Sequence, residues 1–195
     1  MYEYVKGLVV ELNPAYAVVE VGGIGYFVNI SLTSYSSMIQ GEQAQLYLHQ
    51  VVREDAHLLF GFVTKVEREL FRQLITVNGV GPNTARLILS SLTPQELTNA
   101  ILSENLVKLK SVKGIGAKTA QRIIIDLKDK INLSGEYDAS EIFAASDNTI
   151  KKDALLTLNT LGFSKAAVEK VLDKVLKEKP EASLETVIKL ALNYL

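Results

Sequence analysis

Residues 77–85 read VNGVGPNTA, and residues 112–120 read VKGIGAKTA. Five of the nine aligned positions are identical, and the two copies lie 35 residues apart. In each copy a Gly-x-Gly turn separates two stretches in which apolar residues recur with helical spacing. The repeat therefore predicts two similar helical hairpins in the middle of the chain.

The glycines of both turns are expected to bring the backbone close to a ligand. They are Gly79, Gly81, Gly114 and Gly116. Each can adopt positive φ and carries no side chain that would block an approaching group. The apolar residue between the glycines, Val80 or Ile115, is expected to point inward and hold the turn.

A helix is predicted to begin directly after each turn, at Pro82 and at Ala117. The first N–H groups of a helix have no intrahelical acceptor, and the helix dipole places positive charge there. Such a helix start binds anions, and phosphate fits it well. The arrangement is typical of a helix-hairpin-helix motif, which contacts the nucleic-acid backbone and reads no base sequence.

For a single Gly-x-Gly stretch, a tight turn between packed helices is the simpler interpretation. Two copies inside a basic region favour DNA binding. Residues 65–135 carry a net charge of +5, whereas residues 1–64 carry −4 and residues 136–195 carry −2. Besides the turn residues themselves, we expect these side chains to contact DNA: Asn83, Thr84, Arg86, Lys113, Lys118, Thr119 and Arg122.

Catalytic and nucleotide-binding interpretations are weak. The stretch GIGAKT resembles a P-loop, but Ala117 stands before Lys118 where a second glycine is required, and no strand is predicted before the turn. The chain has no cysteine, and both histidines, His49 and His57, lie in the β-rich region without an evident nucleophile. Neither hairpin is followed by the Gly-Pro-Asp pattern of base-excision glycosylases. We therefore expect no catalytic residue, metal or cofactor.

The remaining regions predict a β domain and a small helical bundle. Residues 1–63 contain several short runs rich in Val, Ile, Tyr and Phe between turn signals, which favours a small barrel such as an OB-fold. Residues 64–133 are predicted to be helical, with a helix start at Thr93-Pro94-Gln95-Glu96. Residues 134–148 are predicted to form a flexible acidic linker. Residues 149–195 predict three helices, at about 149–161, 164–178 and 183–195.

The sequence also favours a cytoplasmic protein without membrane contact. Its first residues follow a strand-like pattern and lack the features of a signal peptide. No apolar run approaches the ~18 residues that a membrane span needs. The absence of cysteine fits a reducing compartment.

In this order the elements are similar to one known family. A β-barrel with VVREDAHLLFGF, the two hairpins, an acidic linker and a terminal bundle with an LGF turn resemble the RuvA family of bacterial Holliday-junction branch-migration proteins. The resemblance covers essentially the whole chain. It implies an α+β multidomain fold with an N-terminal OB-fold barrel, a central all-α tandem helix-hairpin-helix domain and a C-terminal three-helix, UBA-like bundle.

The resemblance also implies partners. Four-way junction DNA would be held open and square by a homotetramer, with an octamer of two tetramers as the alternative. The C-terminal bundle would bind RuvB, a hexameric motor that uses ATP and magnesium, and the RuvC resolvase would be a further partner. The chain itself would need no cofactor.

Two groups of residues acquire roles from the resemblance. Glu54 and Asp55 match the acidic pin that the family places at the centre of the junction, where carboxylates repel phosphates. The RuvB-binding positions match Leu158, Leu161, Phe163 and Leu192, with core packing as the alternative role for each. Phe163 is the best candidate for exposure because it follows a glycine.

The first hairpin departs from the family pattern. Asn83 stands where family members commonly carry a lysine, whereas the second hairpin keeps Lys118. Arg86, three residues further on, is the candidate that could compensate. We expect the second hairpin to contribute more of the salt-dependent affinity.

Two other classes of function remain open at this point. The first is a DNA repair enzyme, a nuclease or a glycosylase, that uses the hairpins to hold its substrate. The second is a structural adaptor without affinity for DNA. Junction cleavage would identify the first. If bulky residues at Gly81 and Gly116 left junction binding intact, the hairpins would not be a DNA site, which would favour the second.

Overall fold

The computed structural model describes residues 2–133, 150–151, 154–155, 157–159, 161–179 and 182–194. The chain divides into two compact units, Met1–Tyr137 and Asp138–Leu195. The first unit thus contains both the predicted barrel and the predicted hairpins. The predicted acidic linker, residues 134–148, lies outside the described residues.

Five strands close the barrel that the sequence predicts for the N-terminal region. They are β1 (Tyr4–Asn13), β2 (Tyr16–Val21), β3 (Ile24–Ile30), β4 (Gln43–Val52) and β5 (His57–Phe62). Their order is β1-β2-β3-β5-β4, and β4 returns to pair with β1. β3 and β5 run parallel, and the other neighbours are antiparallel. This closed five-stranded arrangement confirms the OB-fold.

A close approach of two strands shapes the barrel wall. Val5 and Val9 of β1 are buried and Leu8 is exposed, because successive side chains of a strand point to opposite faces. Gly7 lies on the inner face with the valines, and a Cβ there would lie 2.1 Å from the carbonyl oxygen of Glu20. The glycine therefore allows β2 to lie tightly against β1.

The rest of the first unit is helical. A short helix, α1 (Leu32–Ser36), connects β3 to β4 and was not predicted from the sequence. The helices after the barrel are α2 (Lys65–Leu74), α3 (Pro82–Ser91), α4 (Pro94–Leu102), α5 (Leu106–Lys110) and α6 (Ala117–Leu133). The predicted capping box opens α4: Thr93 accepts from the Glu96 N–H at 3.3 Å, and Glu96 accepts from the Thr93 N–H at 3.0 Å.

The aromatic residues of β5 belong to the apolar core of the helices, whereas the rest of the barrel interior forms a core of its own. Phe71 of α2 packs against Phe60 and Phe62 of β5, with ring centroids 5.1 and 5.0 Å apart. All three rings are almost fully buried. Burying a side chain of this kind contributes about 1.5–3 kcal/mol, so these rings hold α2 firmly to the barrel.

A buried polar network joins the same two parts. Glu67 of α2 is fully buried and accepts hydrogen bonds from the hydroxyls of Ser31 and Ser34, the second at 2.8 Å. The Ser34 hydroxyl oxygen also accepts from the N–H of Val63 at 3.1 Å. Burial raises the pKa of the Glu67 carboxyl, and the two serine hydrogen bonds oppose that rise.

The second unit is built from helices around its own small core. Residues 150–151, 154–155 and 157–159 are helical and precede the helices Lys165–Glu178 and Leu184–Leu192. The last helix was predicted to continue to residue 195, but it ends at Leu192 and a turn follows at residues 193–194. The core residues are Ala154, Leu158, Val168, Leu172, Val175, Val187 and Ala191. Among the helices that the structure describes, none has both the length and the apolar composition that crossing a membrane requires.

Candidate nucleic-acid interface

The two repeated turns have the same backbone conformation. Gly79 has a φ of +90° and Gly114 a φ of +89°. The residue after each of them donates its N–H to the carbonyl three positions earlier, Val80 at 3.0 Å and Ile115 at 3.1 Å. The repeat in the sequence is therefore a repeat in geometry.

The apolar residues between the glycines anchor both turns. Val80 is 4% exposed and Ile115 6% exposed, and both belong to the core of the first unit. The expectation that they point inward is confirmed. Because their N–H groups are already bonded within the turn, these two residues offer a ligand neither an amide nor a side chain.

The second glycine of each pair does not use the conformation that only glycine favours. Gly81 has a φ of −82°, and Gly116 likewise lies outside the positive-φ region. A Cβ added at either position would meet nothing within 4 Å. The protein's own packing thus does not require a glycine there, and the absent side chain leaves the surface before each helix open.

Unpaired backbone donors lie directly behind these open surfaces. The first intrahelical bond of α3 is made by the Ala85 N–H to Gly81, and that of α6 by the Ala120 N–H to Gly116, both at 2.9 Å. The amides of Asn83 and Thr84 precede the first of these bonds, and α3 has no side-chain cap. Each helix therefore begins with donors and a positive dipole end directed at the turn surface.

The side chains around the two turns differ in charge. Lys118 is exposed and stands where the first hairpin has Asn83, which is also exposed. Lys113 is exposed and stands where the first hairpin has Asn78. The difference between Asn78 and Lys113 was not predicted, although aligning the two copies at the 35-residue offset shows it. Thr84 and Thr119, at equivalent positions, are half-buried.

The two hairpins lie next to each other. Arg122, near the start of α6, donates to the carbonyl of Asn78 in the first turn at 3.5 Å. Further along α6, Lys130 donates to the Thr76 hydroxyl at 3.3 Å. The first turn and α6 are therefore neighbours.

Three family models match consecutive parts of this chain. They are "RuvA N terminal domain" at residues 1–61, "SAM-like Helix-hairpin-helix tandem" at residues 71–129 and "RuvA, C-terminal domain" at residues 150–195. The chain is also 50% identical over 196 residues to a protein of Christiangramia forsetii, 49% over 199 residues to one of Parabacteroides distasonis and 48% over 201 residues to one of Bacteroides fragilis. Each alignment covers 100% of both chains.

The chain belongs to the RuvA family. The three relatives are named "Holliday junction branch migration complex subunit RuvA".

The acidic turn lies at the tip of the β4–β5 hairpin. Residues 53–56 connect the two strands, and the Arg53 N–H donates to the Ala56 carbonyl at 2.8 Å. Glu54 and Asp55 are both exposed. Within residues 2–133, neither carboxylate takes part in a salt bridge.

The expected exposure of Phe163 is wrong. Its N–H donates to the Leu158 carbonyl at 3.2 Å, and the Gly162 N–H donates to the Asn159 carbonyl at 3.0 Å. These two bonds, with Gly162 at a φ of +101°, form a Schellman cap. Such a cap turns the residue after the glycine back onto the helix, and Phe163 accordingly packs half-buried against the core.

The other three candidates in the C-terminal unit divide between core and surface. Leu158 is fully buried, so the alternative role of core packing applies to it. Leu161 is 59% exposed and Leu192 is 41% exposed. These two leucines are the predicted RuvB-binding residues that the unit presents on its own surface.

Neither histidine has the surroundings of a catalytic base. His49 packs against the Phe71 ring at 5.4 Å, and burial lowers its pKa, with Arg72 contributing. His57 is exposed at the start of β5. Across the part of the chain that the structure describes, no group of three or more His, Cys, Asp or Glu side chains could hold a metal ion.

Proposed function

We propose that this chain binds four-way Holliday junction DNA by its shape and backbone, holds the junction open and recruits the RuvB motor for branch migration. The observation that carries the proposal is the pair of turns with one geometry, each presenting unpaired amides at a helix start behind an open surface. The names of the relatives support it.

Each hairpin would hold one phosphate backbone. A phosphate would accept from the first amides of α3 in one turn and of α6 in the other. The exposed side chains that would assist are Asn83, Lys113, Lys118 and Arg122, with Thr84 and Thr119 partly accessible. Because a duplex has two strands, two adjacent hairpins can grip both across the minor groove.

The acidic turn would act at the centre of the junction. Glu54 and Asp55 would repel phosphates by about 1 kcal/mol per charge pair at 4 Å in water, and by more in a confined site. This repulsion would keep the four strands apart. It would also disfavour an uninterrupted duplex at the same place.

We further propose a homotetramer, in which eight hairpins serve four duplex arms of two strands each. Exposed apolar side chains on the barrel support an assembly interface there, since such groups on neighbouring strands favour burial by a partner. They include Tyr4, Leu8, Val10, Val21, Ile24 and Phe27. Two tetramers enclosing the DNA from both sides would form the octamer.

The C-terminal unit would dock the motor through Leu161 and Leu192. ATP and magnesium would be used by RuvB, and the chain itself would carry no cofactor and no catalytic residue. The RuvC resolvase is a further proposed partner. The whole assembly would work in the bacterial cytoplasm, where the junctions form.

The proposal is tested with the purified full chain and labelled DNA. Gel-shift titrations should show tighter binding to a four-way junction than to a linear duplex of the same arm sequence, and a mass measurement of the free protein should give a tetramer. Equal affinity for both DNAs would overturn junction selectivity.

A second assay addresses the enzyme alternative. The junction is incubated with the chain and magnesium, without RuvB, and the strands are separated on a denaturing gel. Intact strands are expected. Cleaved strands or released bases would identify a nuclease or a glycosylase instead.

A further inference from the structure

Arg86 lies on the side of α3 that meets the barrel. Its Nη1 donates to the carbonyl oxygen of Ala15 at 2.6 Å, in the turn between β1 and β2. The side chain is half-buried, and burial lowers the pKa of its guanidinium. The equivalent residue of the second hairpin is Gln121, so the repeat gives Arg86 no basic counterpart.

Two further bonds continue this contact along α3. The Ser90 hydroxyl accepts from the N–H of Leu32 at 3.0 Å and donates to the Arg86 carbonyl at 2.8 Å. The Thr33 hydroxyl donates to the Leu89 carbonyl at 2.9 Å, an acceptor near the end of α3. Leu32 and Thr33 belong to α1, the helix that connects β3 to β4 of the barrel. We name the three contacts, Arg86–Ala15, Ser90–Leu32 and Thr33–Leu89, the α3–barrel seam.

The seam gives α3 a directional contact with the barrel side, as the Glu67 network does for α2. The aromatic rings of β5 and α2 hold the helices close to the barrel, but apolar contacts have little directional preference. Hydrogen bonds weaken steeply when their angle changes. Three of them along one helix therefore fix the orientation of α3 against the barrel.

The second hairpin takes its orientation from the first. Arg122 donates to the Asn78 carbonyl at 3.5 Å, which links α6 to the first turn. Lys128 of α6 pairs with Glu104, which follows α4. A rotation of α3 against the barrel would therefore move both DNA-binding turns.

We propose that Arg86 is a positioning residue rather than a phosphate ligand. The α3–barrel seam sets the angle between the hairpins and the barrel, and this angle lets the chain select a junction over a duplex. This inference rests on the proposed function. The angle decides what the Glu54–Asp55 turn meets when DNA lies on the hairpins. At the correct angle its carboxylates repel a continuous duplex and face the open centre of a junction, and a change of angle weakens this discrimination.

The test compares full-length variants on a labelled four-way junction and a matched duplex over a series of salt concentrations. Arg86→Ala should lower the junction-over-duplex affinity ratio about fivefold, the size expected for one net hydrogen bond. It should leave the slope of log affinity against log salt unchanged, because no phosphate contact is lost. Lys118→Ala, the comparison variant, should instead reduce that slope by about one on both DNAs.

Thr33→Val separates positioning from charge. It removes a seam hydrogen bond from the barrel side, keeps the side-chain volume and changes no charge. Its expected effect is the same loss of selectivity with the same unchanged slope. Thermal unfolding of each variant checks that the fold persists, and if Arg86→Ala does not fold, Thr33→Val carries the test.

The outcomes separate this inference from the proposed function. If Arg86→Ala reduces the salt slope by about one and Thr33→Val has no effect on selectivity, Arg86 is a phosphate ligand and the inference fails. If the unmodified chain shows no preference for the junction, the proposed function fails before any variant is compared.

Discussion

Lys118 occupies in the second hairpin the position that Asn83 occupies in the first, and both side chains are exposed in the first turn of a helix. The two turns share a φ near +90° at the first glycine and the same pattern of hydrogen bonds. The difference between these two residues is therefore one of charge and not of backbone placement.

This difference predicts unequal salt dependence. Lys118→Ala should reduce the slope of log junction affinity against log salt by about one, since one phosphate contact by a cation is lost. Asn83→Ala should weaken binding without changing the slope, and Asn83→Lys should increase the slope by about one. Fluorescence titrations at several salt concentrations measure all three. An unaltered slope in Lys118→Ala would exclude its phosphate contact.

The two glycines of the first turn should respond differently to valine. Gly81→Val should cost no more than about 1 kcal/mol of stability, because φ is −82° and the Cβ meets no atom, and the loss reflects only the poorer helix N-cap. It should nevertheless weaken DNA binding, since the side chain covers the open helix start of the first hairpin. Gly79→Val should cost about 1–3 kcal/mol of stability, because φ is +90°. Denaturant unfolding and gel shifts measure both effects, and tight binding by a folded Gly81→Val protein would contradict the anion site.

Removing the charges of the acidic turn should increase affinity for linear DNA. The double variant Glu54→Gln and Asp55→Asn should bind a duplex about fivefold more tightly, as expected from losing repulsion of about 1 kcal/mol. Affinity for the junction should rise less, so selectivity falls. Competition between the two DNAs measures the ratio, and an unchanged ratio would leave the turn without a role in selection.

Stability should depend on pH through Glu67. Its folded pKa is raised from 4.5 by burial, so the folded chain binds the proton more tightly than the unfolded chain does. The contribution of this carboxyl is complete below pH 4.5 and is lost as pH rises through the folded pKa. The wild-type chain should therefore lose stability relative to Glu67→Gln as pH increases. Urea unfolding of both proteins at a series of pH values from 4.5 upward measures the difference in their free energies of unfolding. A trend of opposite sign would show that the serine hydrogen bonds outweigh burial.

Leu161 and Phe163 of the C-terminal unit should serve different roles, the first in binding RuvB and the second in stability. Leu161→Ser should weaken binding to RuvB and leave thermal unfolding unchanged, because the side chain is 59% exposed. Phe163→Ala should destabilise the unit by about 2 kcal/mol, roughly half the cost at a fully buried site. Pull-down with RuvB and calorimetry of the full chain measure the two effects. Normal RuvB binding by Leu161→Ser would show that Leu161 does not contribute to the interface.

The hairpin turns could be predicted because their determinants are local. A Gly-x-Gly turn, an apolar residue between the glycines and a helix start lie within nine residues, and a second copy makes chance improbable. One local signal led to a wrong prediction, the exposure of Phe163. The order Leu161-Gly162-Phe163 is itself a Schellman pattern, and it indicates a Phe163 turned toward the helix rather than toward solvent.

The contacts between barrel and hairpins could not be predicted in this way. Arg86 meets a carbonyl 71 residues earlier, and Ser31 meets Glu67 36 residues later. Nothing in the neighbouring sequence distinguishes these side chains from solvated ones. Their partners become known only when the barrel closes and α2 and α3 pack against it.

The donors of the two turns have a consequence for movement along DNA. Backbone amides recognise a phosphate and no base, so a duplex that advances by one base pair presents each turn with a chemically identical group. The holding energy is then the same after each step as before it. On the proposed function, a motor can therefore pull DNA of any sequence past the hairpins without working against a sequence-dependent change in binding energy.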